Sequence, residues 1–133
     1  MNDKKIRKLI EKIEEISIKH FDELSCNING FSKKKLVFFM EKPGSSRKVN
    51  DWGRDEDTDY YIGVSENGWE EHITVMECGA GETVLLEEKT HSISNDQLLK
   101  ILNESNLKNY LKFMNKCYDL TQKYSGDFEI LLY

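Results

Sequence analysis

The sequence has few cysteines, one proline and no long apolar run, and each of these shortages excludes a class of protein. Its three cysteines, Cys26, Cys78 and Cys117, are odd in number and far apart, which excludes a disulfide framework and a CxxC metal site. No apolar run approaches the roughly 18 residues of a membrane span, and the N-terminal residues lack the apolar region of a signal peptide. We therefore expect a cytoplasmic protein that does not enter a membrane.

The remaining composition is that of one globular domain. Hydrophobic residues make up 38% of the 133 positions and charged residues 32%, which is enough apolar material for a single core. We expect one domain over residues 1–133.

Charge is distributed unevenly along the chain. Residues 1–50 carry a net charge of +5, residues 51–99 carry -11 and residues 100–133 carry +1. A face built from the middle segment would repel nucleic acid and attract a basic partner, so we expect no direct nucleic-acid binding. The alternative is that these carboxylates only solvate the outer faces of strands.

Apolar periodicity predicts the elements. A long amphipathic helix is expected over residues 4–24, a buried strand over 36–41 and a long loop over 42–58. Three further strands over 60–66, 69–78 and 83–88 should form an antiparallel meander, because Asn67-Gly68 and Gly79-Ala80-Gly81 favour hairpin turns.

The last third of the chain predicts two helices. Ser94 and Gln97 occupy the positions of a capping box at the start of a helix, and a second helical pattern runs from Leu107 to Tyr124. The tail from Phe128 to Tyr133 is apolar and β-prone, so we expect it either to add an edge strand or to cover the core. The expected fold is a two-layer α+β domain: an N-terminal amphipathic helix, a four-stranded, mostly antiparallel sheet and two C-terminal helices on one sheet face.

One carboxylate pattern matches part of a calcium-binding loop. Asp55, Asp57, Asp59 and Glu66 fall at positions 1, 3, 5 and 12 of that template, but Tyr60 stands where the template needs glycine. A calcium-binding protein or a metal-dependent enzyme built on these four residues is therefore an alternative, and an acidic loop or partner-facing patch is the preferred interpretation.

No pattern predicts catalysis. His20, His72 and His91 show no metal-ligand spacing, and the glycines at 79 and 81 lack the lysine of a phosphate loop. We expect no catalytic residue, cofactor or bound metal, and hence no enzyme.

The two tryptophans stand among carboxylates, as expected of an interface with a basic protein. For Trp52 the alternative is that the ring packs back on the core, and for Trp69 it is that the ring packs on the helices. The predicted partner-binding residues are Trp52, Asp55, Glu56, Asp57, Asp59, Glu66, Trp69, Glu70 and Glu71.

The organisation resembles the immunity proteins of bacterial polymorphic-toxin and contact-dependent growth inhibition systems. The resemblance rests on Tyr60-Tyr61-Ile62-Gly63-Val64-Ser65-Glu66-Asn67-Gly68, on Glu70-Glu71 and on Leu98-Leu99-Lys100-Ile101-Leu102. It implies a non-enzymatic protein that binds and blocks a cognate toxin domain, in many systems a nuclease with a basic cleft. An acidic nucleic-acid mimic that inhibits a DNA-binding protein is a further alternative, and the sequence predicts no oligomeric state.

Overall fold

The computed structural model describes residues 3–42 and 46–124, which form four helices and six strands. The helices are α1 (Asp3–Lys19), α2 (Phe21–Leu24), α3 (Asn95–Glu104) and α4 (Leu107–Tyr124). The strands are β1 (Cys26–Asn27), β2 (Lys35–Glu41), β3 (Ser46–Val49), β4 (Asp55–Ser65), β5 (Gly68–Gly79) and β6 (Glu82–Ser92). The predicted α+β class is confirmed. None of the described helices is long and apolar enough to cross a membrane.

All strand pairs of the sheet are antiparallel. The order is β1-β2-β4-β5-β6, and β3 pairs with β4 on the side that β2 also uses. This is possible because β4 is long: its first half pairs with β3 through Arg47↔Asp57, and its second half pairs with β2 through Val37↔Val64. The predicted β4–β5–β6 meander is confirmed.

The core lies between the helices and one half of the sheet. Trp69 at the start of β5 is at its centre, with its ring centroid 4.8 Å from that of Phe39 and 5.9 Å from that of Phe113. The indole N–H of Trp69 donates to the backbone oxygen of Ile10 at 3.2 Å, so its polar atom is satisfied inside the core. The core side chains of the sheet come from β2, the second half of β4 and the start of β5, together with Ile93 just beyond β6.

The second face of the sheet is curled and partly covered by its own chain. The connection between β1 and β2 crosses this face, so that Ser32 contacts both His72 of β5 and Glu88 of β6. The close approach of β2 to β4 requires glycine at position 63, where a Cβ atom would lie 2.6 Å from the backbone oxygen of Val37. His72 thus lies in a small polar cluster on this face of the sheet.

Two sequence predictions about the elements are wrong. The sheet has six strands rather than four, because β1, β3 and the first residues of β4 lie in segments with no apolar periodicity. Two ion pairs join β3 to β4: Arg47–Asp57 at 3.8 Å and Lys48–Glu56 at 3.6 Å. Charged side chains therefore replace the usual alternation of apolar and polar residues in these strands. The first helix ends at Lys19, and His20 stacks on Tyr124 with ring centroids 4.1 Å apart.

The start of α3 is as predicted. The Ser94 hydroxyl accepts from the Gln97 backbone N–H at 3.1 Å, and the Gln97 side chain accepts from the Ser94 N–H at 2.8 Å. The predicted strand in the tail lies outside the described residues.

Candidate partner-binding surface

One half of the sheet lies outside the core, and we call it the arm. It comprises residues 46–60 and 74–87, which include β3, the turn at 50–54 and the hairpin between β5 and β6. No residue of the arm belongs to the core cluster. Its exposed residues are therefore available to another molecule without any change in the packing of the domain.

Trp52 stands on the turn between β3 and β4, and its exposed fraction is 84%. The side-chain oxygen of Asn50 accepts from the backbone N–H groups of Trp52 at 3.0 Å and Arg54 at 3.1 Å. The backbone N–H of Asn50 donates to the oxygen of Arg54 at 2.8 Å, and Gly53 supplies the positive φ of 73° that closes the turn. The tryptophan is thus presented to solvent by a closed, hydrogen-bonded turn rather than packed on the core.

Glu77 of β5 fixes this turn from the neighbouring strand. One carboxylate oxygen accepts from Nδ2 of Asn50 at 2.6 Å, and the other accepts from Nη1 of Arg54 at 3.2 Å. The aliphatic part of Arg54 also covers Gly79, where a Cβ atom would lie 2.9 Å from Cγ of the arginine. A turn held at both ends loses little conformational entropy when a partner covers its tryptophan.

The turn borders a groove of about 580 Å³ that combines apolar and acidic side chains. Apolar residues on the arm are unusually exposed: Val49 at 66%, Leu86 at 49% and Val84 at 43%. Glu56 and Glu77 line the same groove as Trp52 and Leu86. Apolar side chains exposed together and rimmed by charge are typical of protein-binding surfaces.

Carboxylates outnumber cations in the arm. It contains eight Asp and Glu side chains but only Arg47, Lys48 and Arg54 as cations. Asp51, Asp55, Asp59 and Glu82 form no ion pair within residues 3–42 and 46–124. Against its three cations, the eight carboxylates leave the arm with a net charge of -5.

Three predicted partner-binding residues are buried, and the prediction that they lie on the surface is wrong. Trp69 is only 2% exposed, because its side chain fills the core. Glu70 and Glu71 point to opposite faces of β5, and each pairs with a lysine at one end of β2. Lys34, just before β2, lies 3.0 Å from Glu70, and Lys42, just after it, lies 3.2 Å from Glu71. His91 adds a second contact to Glu71 at 3.1 Å.

The predicted calcium pattern is not brought together. Asp55, Asp57 and Asp59 alternate along β4 on one face, so each is roughly 7 Å from the next, and Glu66 follows the other end of the strand. Among the described residues, no group of three His, Cys, Asp or Glu side chains is placed to hold a metal. The structure divides the predicted residues. Glu56 lines the groove beside Trp52, Asp55, Asp57 and Asp59 lie on the opposite face of β4, and Glu66 is exposed beyond the end of the strand.

Sequence reasoning missed the polar cluster on the second face. His72 is only 1% exposed, with Nδ1 2.6 Å from the Thr90 hydroxyl and Nε2 2.7 Å from a Glu88 oxygen. Ser32 donates to that same Glu88 oxygen. The cluster joins the connection between β1 and β2 to β5 and β6: the Thr90 hydroxyl contacts one nitrogen of His72, and Ser32 and Glu88 contact the other.

Comparison of the chain with known protein families, curated proteins and solved structures finds no match. The case for a function therefore rests on the geometry of the arm.

Proposed function

We propose that this chain is a non-enzymatic immunity protein that binds a basic bacterial toxin domain through the arm. The observation that carries the proposal is Trp52, 84% exposed on a turn that Asn50 and Glu77 hold in place among carboxylates. A fixed, exposed tryptophan supplies affinity when it is covered, and surrounding charge supplies association rate and orientation. The excess of carboxylates makes a cationic partner, such as a nuclease with a basic cleft, the best electrostatic match. We propose that the protein acts in the cytoplasm. Binding through the arm would require neither a cofactor nor a metal.

The test is binding between the purified chain and the toxin domain encoded beside its gene. We expect a stable complex whose association rate falls as salt is added, because salt screens exposed charges. If the two folded proteins do not associate at low salt, the proposal is wrong. Capture of a DNA-binding protein instead of a toxin would favour the nucleic-acid mimic.

Charge variants locate the surface. Asp51→Lys with Glu56→Lys should lower the association rate by about tenfold or more, because both carboxylates line the groove beside Trp52. The matched control is Glu11→Lys with Asp119→Lys, which reverses two exposed carboxylates on α1 and α4. Equal effects of the two pairs would mean that net charge, and not the arm, governs association.

A further inference from the structure

The outer edge of β6 is open. β6 (Glu82–Ser92) is the last strand in the sheet order, and within the described ranges no strand pairs with its outer side. Its inner side pairs with β5 along its whole length, from Gly79↔Glu82 to Glu70↔Ser92. A terminal strand presents a row of backbone N–H and C=O groups that can pair with another extended chain.

The usual protections of an edge strand are weak here. Proteins guard edges with short strands, proline, lysine or bulges. β1, at the opposite end of the order, has only two residues, whereas β6 has eleven and contains no proline. Its only lysine, Lys89, lies 3.1 Å from Glu87 and is thereby partly neutralised. The protections that remain are a bulge opposite Val75 and Met76 and the carboxylates of the strand, and carboxylates repel an acidic chain but attract a basic one.

The open edge is continuous with the Trp52 groove. Leu86 of β6 lines that groove, and Val84 and Glu87 are paired with Glu77 and Val75, which lie on the same face of β5. All three β6 side chains are exposed. An added strand would place alternate side chains beside Val84, Leu86 and Glu87, next to the tryptophan.

We propose that the edge of β6 pairs with an extended, basic segment of the partner, with main-chain hydrogen bonds to β6 and alternating apolar and cationic side chains on the Trp52 side. Strand addition obtains affinity from the backbone and specificity from alternate side chains. The charge favours this occupant: Glu82 and Glu87 lie on the strand, and the arm beside it is acidic. A second copy of the chain would bring the same carboxylates against each other. The inference rests on the proposed function, since it names how that partner docks.

The first experiment uses a defined probe. An alternating Lys-Val peptide of about ten residues, with blocked ends, has the charge and length to pair with β6. Its control is the peptoid with the same side chains, which carries the charge but no backbone N–H donors. We expect the peptide to bind at least about tenfold more tightly than the peptoid and to slow amide hydrogen exchange in residues 82–92. Equal binding of the two probes, or no protection of those amides, overturns the proposal.

The second experiment changes the edge. Leu86→Lys with Glu87→Lys places two guarding lysines on exposed positions of β6 and should lower peptide affinity at least about tenfold. The matched control is Leu111→Lys with Asp119→Lys on α4, because Leu111 is 48% exposed and Leu86 is 49% exposed. An equal loss in the control pair contradicts pairing at β6. Concentration-dependent dimerisation that the β6 variant abolishes would assign the edge to a second copy and also overturn the proposal.

Failure of this inference differs from failure of the proposed function. If the toxin domain binds through the arm while exchange in residues 82–92 is unchanged, the function holds and strand pairing is wrong. If the peptide pairs with β6 but the toxin domain does not bind, the edge is competent and the proposed function is wrong.

Discussion

Oε2 of Glu77 lies 2.6 Å from Nδ2 of Asn50, so a carboxylate of β5 holds the turn that displays Trp52. The bond joins β5 to the far side of β4 and spans 27 residues of sequence. The bond braces the turn that carries the exposed Trp52, which is the basis of the first prediction.

Removing the Asn50 side chain should loosen this turn. Asn50→Ala deletes acceptors for the N–H groups of Trp52 and Arg54 and a donor to Glu77, at a cost of about 1 kcal/mol in the free energy of unfolding. Hydrogen exchange of residues 50–54 should accelerate, and toxin binding should weaken mainly through a faster dissociation rate. Asn115→Ala, on the exposed face of α4, is the control. Unchanged exchange at 50–54 would contradict the bracing role.

The two tryptophans should be separable by fluorescence. Trp69→Phe leaves only the exposed Trp52, so the remaining emission should be red-shifted and readily quenched by acrylamide. Trp52→Phe leaves only the buried Trp69, whose emission should be blue-shifted and protected. Alanine substitutions should differ in stability: Trp69→Ala empties part of the core and typically costs about 3–5 kcal/mol in the free energy of unfolding, whereas Trp52→Ala should cost little. Similar quenching of both single-tryptophan variants would refute this arrangement.

Gly63 should not tolerate a side chain. In Gly63→Ala the new Cβ would lie 2.6 Å from the backbone oxygen of Val37, so β2 and β4 must separate, at an expected cost of about 1–3 kcal/mol in urea unfolding. Gly30→Ala is the matched control, because a Cβ at position 30 meets nothing within 4 Å. If both variants are equally stable, the close strand approach is not present in solution.

The two hydrogen bonds of the capping box at the start of α3 should stabilise each other. Ser94→Ala removes the acceptor for the Gln97 N–H and should cost about 1 kcal/mol. Because Gln97 returns a bond to Ser94, a double-mutant cycle with Gln97→Ala should show a favourable coupling energy in thermal or urea unfolding. Strictly additive losses would indicate that the two bonds form independently.

Alkaline pH should destabilise the domain through Cys117. Burial raises the pKa of this thiol well above its ordinary value, so its contribution to stability is complete below the unfolded pKa and is lost as pH rises through the folded one. Burial also raises the pKa of Tyr61 and of Tyr110, with the same sign. The free energy of unfolding should fall above about pH 8.5, and Cys117→Ala should flatten part of that fall. A thiol reagent should label exposed Cys26 in the native protein but Cys117 only after unfolding.

Local signals predicted the elements that depend on local chemistry. The capping box at Ser94 needs only neighbouring residues and occurs where expected. A hairpin forms near Asn67-Gly68, but its turn residues are Glu66 and Asn67, and Gly68, with a φ of 113°, begins β5. β3 and the first residues of β4 depend on cross-strand pairs such as Arg47–Asp57. Strand propensity is poor for Asp and Glu, so no local pattern marks that segment as a strand.

The candidate surface was predicted in part for the same reason. Trp52 could be assigned to a charged loop, because nothing periodic placed it in the core. The burial of Glu70 and Glu71 depends on Lys34 and Lys42, which are distant in sequence and reach them only after β2 has paired with β4. A sequence does not distinguish a buried carboxylate from a solvated one, because burial depends on the position of the cation that pairs with the buried carboxylate.

Because the arm contributes nothing to the core cluster, its exposed positions can be replaced without weakening the domain. A lineage carrying this architecture could exchange the residues around Trp52 from one generation to the next and acquire new binding preferences, while the helical layer and Trp69 stay as they are.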